Sequence, residues 1–169
     1  MTAATTGAPQ PWDAAGFESL LRQALVAAGD DPDGVTTFAE AGYTRSRYGL
    51  RLALPSGATV HLQIVATRPP DQEGPRRGAL PPKQHSAALP AQGKTSLSAV
   101  EQHLASALTA IGDPHIRRVE PLSSLGTAVP YGLRVVFHCR AVVCCYLVRA
   151  TPAGALHPRG GLFPSLRRI

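Results

Sequence analysis

Hydrophobic positions along the chain recur at two different spacings, and the spacings alternate in blocks. Phe17, Leu20, Leu21, Ala24, Leu25 and Ala28 fall three and four residues apart, which places them on one face of an amphipathic helix. Asp13 is the natural N-cap of that helix, and Gly29, Asp30, Asp31 and Pro32 stop it. A second stripe of the same period is formed by Leu97, Val100, Leu104, Ala107, Leu108 and Ile111. Ser96 is one candidate cap for it, and Ser98 with Glu101 is a capping-box alternative. Gly112, Asp113 and Pro114 end the pattern.

After each helix the period falls to two. Leu50, Leu52 and Leu54 alternate with Arg51 and Ala53, a Pro55-Ser56-Gly57 turn follows, and Val60, Leu62 and Ile64 return on one face. Val35 to Glu40 is a short strand ahead of this hairpin, with a loop carrying Arg45 and Arg47 between them. In the second half Ile116 to Val119 is a weak strand and Pro121 to Pro130 a loop. The stretch Tyr131 to Thr151 then gives another hairpin. Each half therefore reads α-β-β-β.

The halves also match residue by residue at a constant shift of 83 positions. Glu18 meets Glu101, Leu21 meets Leu104, Gly29 and Asp30 meet Gly112 and Asp113, and Tyr48-Gly49-Leu50-Arg51 meets Tyr131-Gly132-Leu133-Arg134. The expected architecture is α+β: an internally duplicated α-β-β-β unit, its antiparallel sheets each backed by one amphipathic helix and free to join in one larger sheet. The shift also pairs Phe137 with Ala141. It thereby sends Leu133, Val135, Phe137, Ala141, Val143, Cys145 and Leu147 to the helix side. The opposite face then differs between the halves. The first shows Arg51, Ala53, Thr59, His61 and Gln63, which suit water. The second shows Arg134, Val136, Val142, Cys144, Tyr146 and Val148, an apolar surface that calls for a cover: the chain's own linker or tail, or another subunit.

Composition sharpens the boundaries. The 169 residues include 16 Pro and 16 Gly, and these concentrate where neither period holds. Residues 1–11 read as a disordered arm, 12–66 as the first unit, 67–94 as a Pro/Gly-rich linker or long loop, 95–151 as the second unit and 152–169 as an irregular basic tail. The formal net charge is +6 and the pI about 9.8. Of the 17 basic residues only Lys83 and Lys94 are lysine, a bias expected of a high-GC bacterial genome. The amino terminus lacks a basic-then-apolar leader, and no run approaches the ~18 apolar residues of a membrane span. The expected location is the cytoplasm, with no membrane partner.

Candidate chemistry is sparse. His138, Cys139, Cys144 and Cys145 lack the spacing of a zinc site, because adjacent strand cysteines point to opposite faces. No catalytic residues are assigned: Cys144 has Arg134 as cross-strand neighbour but no acidic orienter, and no phosphate loop or nucleophile elbow occurs. His103 is expected merely to flank a helix face. The sequence thus favours a non-enzymatic binding module without metal or cofactor. Nucleic acid is the partner it favours, with a protein as the alternative. Nucleic acid would be gripped by Arg51 and Arg134, with Arg45, Arg47, Arg76 and Arg77 assisting, in a regulatory or DNA-maintenance role. A protein, or a second copy, would use Val136, Val142, Cys144, Tyr146 and Val148, as in an adaptor, chaperone or immunity-type protein.

Overall fold

The computed structural model describes residues 10–67 and 96–153. Arg76, Arg77 and the bulk of the expected arm, linker and tail lie outside the described residues.

The chain forms helix α1 (Ala14–Ala27), strands β1 (Val35–Thr37), β2 (Gly49–Ala53) and β3 (Thr59–Thr67), then helix α2 (Leu97–Ile111) and strands β4 (Ile116–Pro121), β5 (Gly132–Phe137) and β6 (Val142–Thr151). Both expected caps form: the Asp13 carboxylate accepts from the Gly16 amide and the Ser96 hydroxyl from the Ala99 amide. Gly112 closes α2 in the left-handed conformation, which glycine adopts without steric cost.

The strands make one antiparallel six-stranded sheet in the order β1-β2-β3-β6-β5-β4. The two halves are joined at its centre, where β3 pairs with β6 and Gln63 faces Tyr146. Both helices lie on one side. Phe17, Leu21 and Leu25 of α1 and Val100, Leu104 and Leu108 of α2 share a single core with Leu50, Leu52, Leu62, Leu133, Val135 and Phe137 of the strands. α1 rests on β1, β2 and β3, α2 rests on β4 and β5, and the helices pack on each other.

A carboxylate ties each helix to the start of a strand, half-buried in Glu18 and fully buried in Glu101. Glu18 accepts from the Gly49 amide at 2.7 Å, and Glu101 accepts from the Gly132 amide at 2.9 Å and the Ser123 amide at 3.1 Å. The Ser123 hydroxyl also donates to Glu101. Burial pushes the Glu18 carboxyl above its ordinary range, partly opposed by the Gly49 hydrogen bond. Glycine is required at both strand starts. A Cβ on Gly49 would collide with the Leu62 carbonyl oxygen and the Phe38 ring, and one on Gly132 with the Cys145 carbonyl oxygen.

Three expectations need correction. β1 ends at Thr37, short of Glu40, because Thr37 and Glu40 cap a turn on each other: each amide is accepted by the other's side chain. β4 runs on to Pro121, and a register shift between Ile116 and Arg118 inserts one residue against β5. Val119 therefore faces Val135 just as Val35 faces Leu52, so the constant shift of 83 breaks in this strand. His103 does not flank a helix face. It is 3% exposed and hydrogen-bonds Asp30, in the turn after α1, at 2.7 Å, so a buried polar contact links α2 to the first half.

Candidate interaction face

The helices cover one face of the sheet, and the opposite face is the site of interest. Strand alternation and register order its side chains into rows. The first runs Thr36, Arg51, His61, Arg149; the second, at the β3–β6 seam, holds Gln63 and Tyr146 with Gly49 and Gly132 on either side. The third runs Val65, Cys144, Arg134, Glu120, and the fourth Thr67, Val142, Val136, Arg118.

The two halves of this face differ. Over the first half Phe38 is fully buried yet stands apart from the main core. Its ring lies 4.3 Å from that of Tyr43, and Tyr43 lies 5.8 Å from His61. The loop carrying Phe38 and Tyr43 thereby covers His61, which is 8% exposed although the sequence suggested a wetted position. Over the second half Leu122, in the turn after β4, is buried outside the main core and lies over Gly132 beside Tyr146, while Val136, Val142, Cys144 and Tyr146 are half-buried and Val65 is 43% exposed. Sequence reasoning missed Val65, because alternation within the first hairpin gives no hint that β3 adjoins β6.

The polar groups of this half are partly spent on each other. Glu120 accepts from Arg118 at 2.9 Å and from Arg134 at 2.8 Å. The Arg118 hydrogen bond, with the Arg134 charge beside it, holds the Glu120 carboxyl below the usual carboxylate range. Cys144 stands opposite Arg134 as the register predicts, and a hydrogen bond between the Cys144 thiol and the Tyr146 hydroxyl raises the phenol above its ordinary value. Cys145, one residue on, faces the core, where burial pushes its thiol up to about 12. It stays protonated and unreactive at neutral pH.

The remaining candidates scatter. Val148 falls in the register shift of β6 opposite His61 and Leu62, outside the paired rows. Arg45 and Arg47 are exposed in the loop before β2, Arg47 lying 5.4 Å over the Tyr48 ring. His138 and Cys139 sit in the β5–β6 turn, and no cluster of His, Cys, Asp or Glu able to hold a metal occurs among the described residues. Nor is any helix among them long and apolar enough to cross a membrane.

Charge is distributed unevenly between the two sides of the sheet. Asp13, Glu18, Asp30, Asp31, Asp33, Glu101 and Asp113 belong to the helices or the turns that adjoin them, and Glu40 is ion-paired with Arg22 of α1 at 3.0 Å. The strand residues of the opposite face carry Arg51, Arg118, Arg134 and Arg149 against Glu120.

No protein-family model, curated protein or solved structure matches the chain.

Proposed function

We propose that this chain is a non-enzymatic interaction module whose second-half sheet face receives a protein partner, in the manner of an adaptor, chaperone or immunity-type protein. The carrying observation is the contiguous patch of Val65, Val136, Val142, Cys144 and Tyr146, in which Val65 is 43% exposed and the others are half-buried. Aliphatic groups reward burial by another protein's side chains at roughly 25 cal/mol per Å². Bases gain most from aromatic platforms, and this patch holds one ring among aliphatic neighbours. Arg134, the strongest phosphate-binding candidate of the second half, is ion-paired with Glu120, a carboxylate it shares with Arg118.

The module is best understood as a duplicated unit. Supporting this are the Glu18–Gly49 and Glu101–Gly132 bonds, which join equivalent residues of the two halves, and the Gln63–Tyr146 pair, equivalent residues facing each other across the seam. A pseudo-twofold axis passing between that pair relates Arg51 to Arg134.

The excess of Arg on the face favours a second reading, nucleic acid. One experiment separates the two: the immobilised protein is challenged with extract of its own cells and with single- and double-stranded oligonucleotides, at low salt and at about 0.5 M salt, where surface electrostatics are screened within ~4–5 Å. A protein retained at high salt and lost from Val142→Asp supports the proposal. Oligonucleotide binding that collapses with salt and with Arg51→Glu supports nucleic acid instead.

A further inference from the structure

The turn that joins β5 to β6 departs in one respect from its counterpart between β2 and β3. Both are closed by the same pair of backbone hydrogen bonds: the amides of Leu54 and Gly57 donate to Ala58 and Leu54 in one, those of Phe137 and Arg140 to Ala141 and Phe137 in the other. Each turn therefore holds one residue in the left-handed region, Gly57 at a φ of 79° and Arg140 at 67°. Glycine adopts that backbone freely, whereas a Cβ crowds the neighbouring carbonyl oxygen. Among the described residues Arg140 alone takes a positive φ without being glycine.

The fold does not use that arginine. Arg140 is exposed, and among the described residues it makes no hydrogen bond or ion pair. A strained backbone is kept where the side chain serves something beyond folding, and the position of Arg140 points to what. It precedes Val142 by two residues, at the end of the apolar patch. There Val142 pairs with Val136 and Val136 with Arg118, so Arg118 stands two strand spacings, about 10 Å, from Val142. Arg117, the residue that the register shift inserts into β4, is likewise exposed and makes no such bond among the described residues. Three exposed arginines thus flank Val136 and Val142. Glu120, the only carboxylate on β4, β5 and β6, is already shared by Arg118 and Arg134.

We infer that the β5–β6 turn is the recognition corner of this face: Arg140, with Arg117 and Arg118, pairs with carboxylates of a partner protein whose adjoining aliphatic side chains cover Val136 and Val142. This rests on the reading of the face as a protein-binding surface. The planar fork of a guanidinium matches a carboxylate with two parallel hydrogen bonds. The valines beside it select protein carboxylates over nucleic-acid phosphates, because a protein supplies apolar side chains next to its charges. A glycine at the turn, as in the first half, would relax the backbone and leave the corner to Arg117 and Arg118.

The test uses the full chain and three fluorescent probes: two peptides sharing a Val/Leu block, followed by Asp residues in one and Lys residues in the other, and an oligothymidine. Anisotropy should show the acidic peptide binding at least ten-fold more tightly than the Lys peptide. Arg140→Gly should weaken that binding five-fold or more while raising the melting temperature by about 2–4 °C, since the left-handed residue becomes glycine. Arg140→Ala removes the charge but keeps a Cβ, so it should weaken binding equally with no rise in melting temperature. An Arg140→Gly protein that melts no higher than the parent, or binds the acidic peptide as well as the parent does, overturns the proposal. Equal binding of both peptides, lost with Val142→Asp but unmoved by Arg140→Gly, overturns the corner while leaving the protein-binding face intact. Binding of no probe at all also overturns the corner, and the face is then judged by the high-salt capture alone. Oligothymidine binding that is lost with Arg140→Gly, with neither peptide bound, overturns both in favour of nucleic acid.

Discussion

Glu101 is the most exacting test of how the second half is held together. It is 1% exposed, and its carboxylate accepts from the Gly132 amide, the Ser123 amide and the Ser123 hydroxyl. Hydrogen bonds to a charged group contribute about 1.5–3 kcal/mol each, and a buried donor left unmatched costs about 1–3 kcal/mol. Replacing Glu101 by Ala removes all three bonds at once. It also spares the desolvation of a buried charge and gains a few tenths of a kcal/mol in helix propensity. The lost bonds and orphaned donors outweigh those gains, and the expected net loss is about 3–5 kcal/mol, the range for breaking a buried charged interaction. Glu101→Gln keeps one acceptor oxygen but turns an NH₂ toward a donor, for a loss of roughly 1–3 kcal/mol. Glu18 makes a single such bond, to Gly49, and burial opposes its ionisation; Glu18→Ala should therefore cost only about 1–2 kcal/mol. Urea unfolding followed by circular dichroism gives each difference from the midpoint and slope. The reasoning fails if Glu101→Ala loses less than Glu18→Ala, or lies within 1 kcal/mol of the parent.

The other predictions concern glycine, the buried His103–Asp30 hydrogen bond, acid and thiols. Gly132→Ala should destabilise by several kcal/mol, since its Cβ meets the Cys145 carbonyl oxygen at a φ of 141°; an unchanged melting temperature contradicts the close approach. His103→Leu removes the 2.7 Å hydrogen bond to the Asp30 carboxylate, for a loss of about 1–3 kcal/mol, read by the same urea titration. Glu120 has a lowered folded pKa, so its contribution is present above its ordinary value of 4.5 and disappears as pH falls through the folded value. Glu120→Gln should then lower the melting temperature at pH 6 and converge with the parent in stronger acid, and a pH-independent difference refutes the assignment. Glu18 has the opposite sign: its raised pKa penalises the charged form, and protonation relieves that penalty as pH falls. Cys145 should resist alkylation in the native protein while Cys144 reacts, as peptide mapping after a brief iodoacetamide pulse would show.

Helices and hairpins were legible because each rests on local pattern. The stripes through Leu21 and Leu104, the caps Asp13 and Ser96, and the Phe137–Ala141 turn register all follow from residues within one or two turns of each other. What escaped the sequence depends on pairing across the halves. Val65 has no place in the second-half face until β6 is set beside β3 with Cys144 opposite it. His103 looks like a helix flank until Asp30, 73 residues away, is brought to it. Phe38 reads as part of a strand. A two-residue side-chain exchange between Thr37 and Glu40 ends that strand and turns the ring over His61, and such turn chemistry has no hydrophobic period to reveal it. For the face itself, sequence identified the apolar group on β5 and β6 but could not show that the carboxylates gather with the helices while Arg51, Arg118, Arg134 and Arg149 share the opposite side.

Cys144 offers the most direct probe of that face, because its thiol lies within the patch while Cys145 is sealed in the core. In a Cys139→Ser protein, the rate of Cys144 alkylation should fall at least five-fold when the protein partner retained at high salt is added to saturation, and this protection should be lost once Val142→Asp is also introduced. An alkylation rate unchanged by a partner that demonstrably binds would place the contact elsewhere and contradict the account.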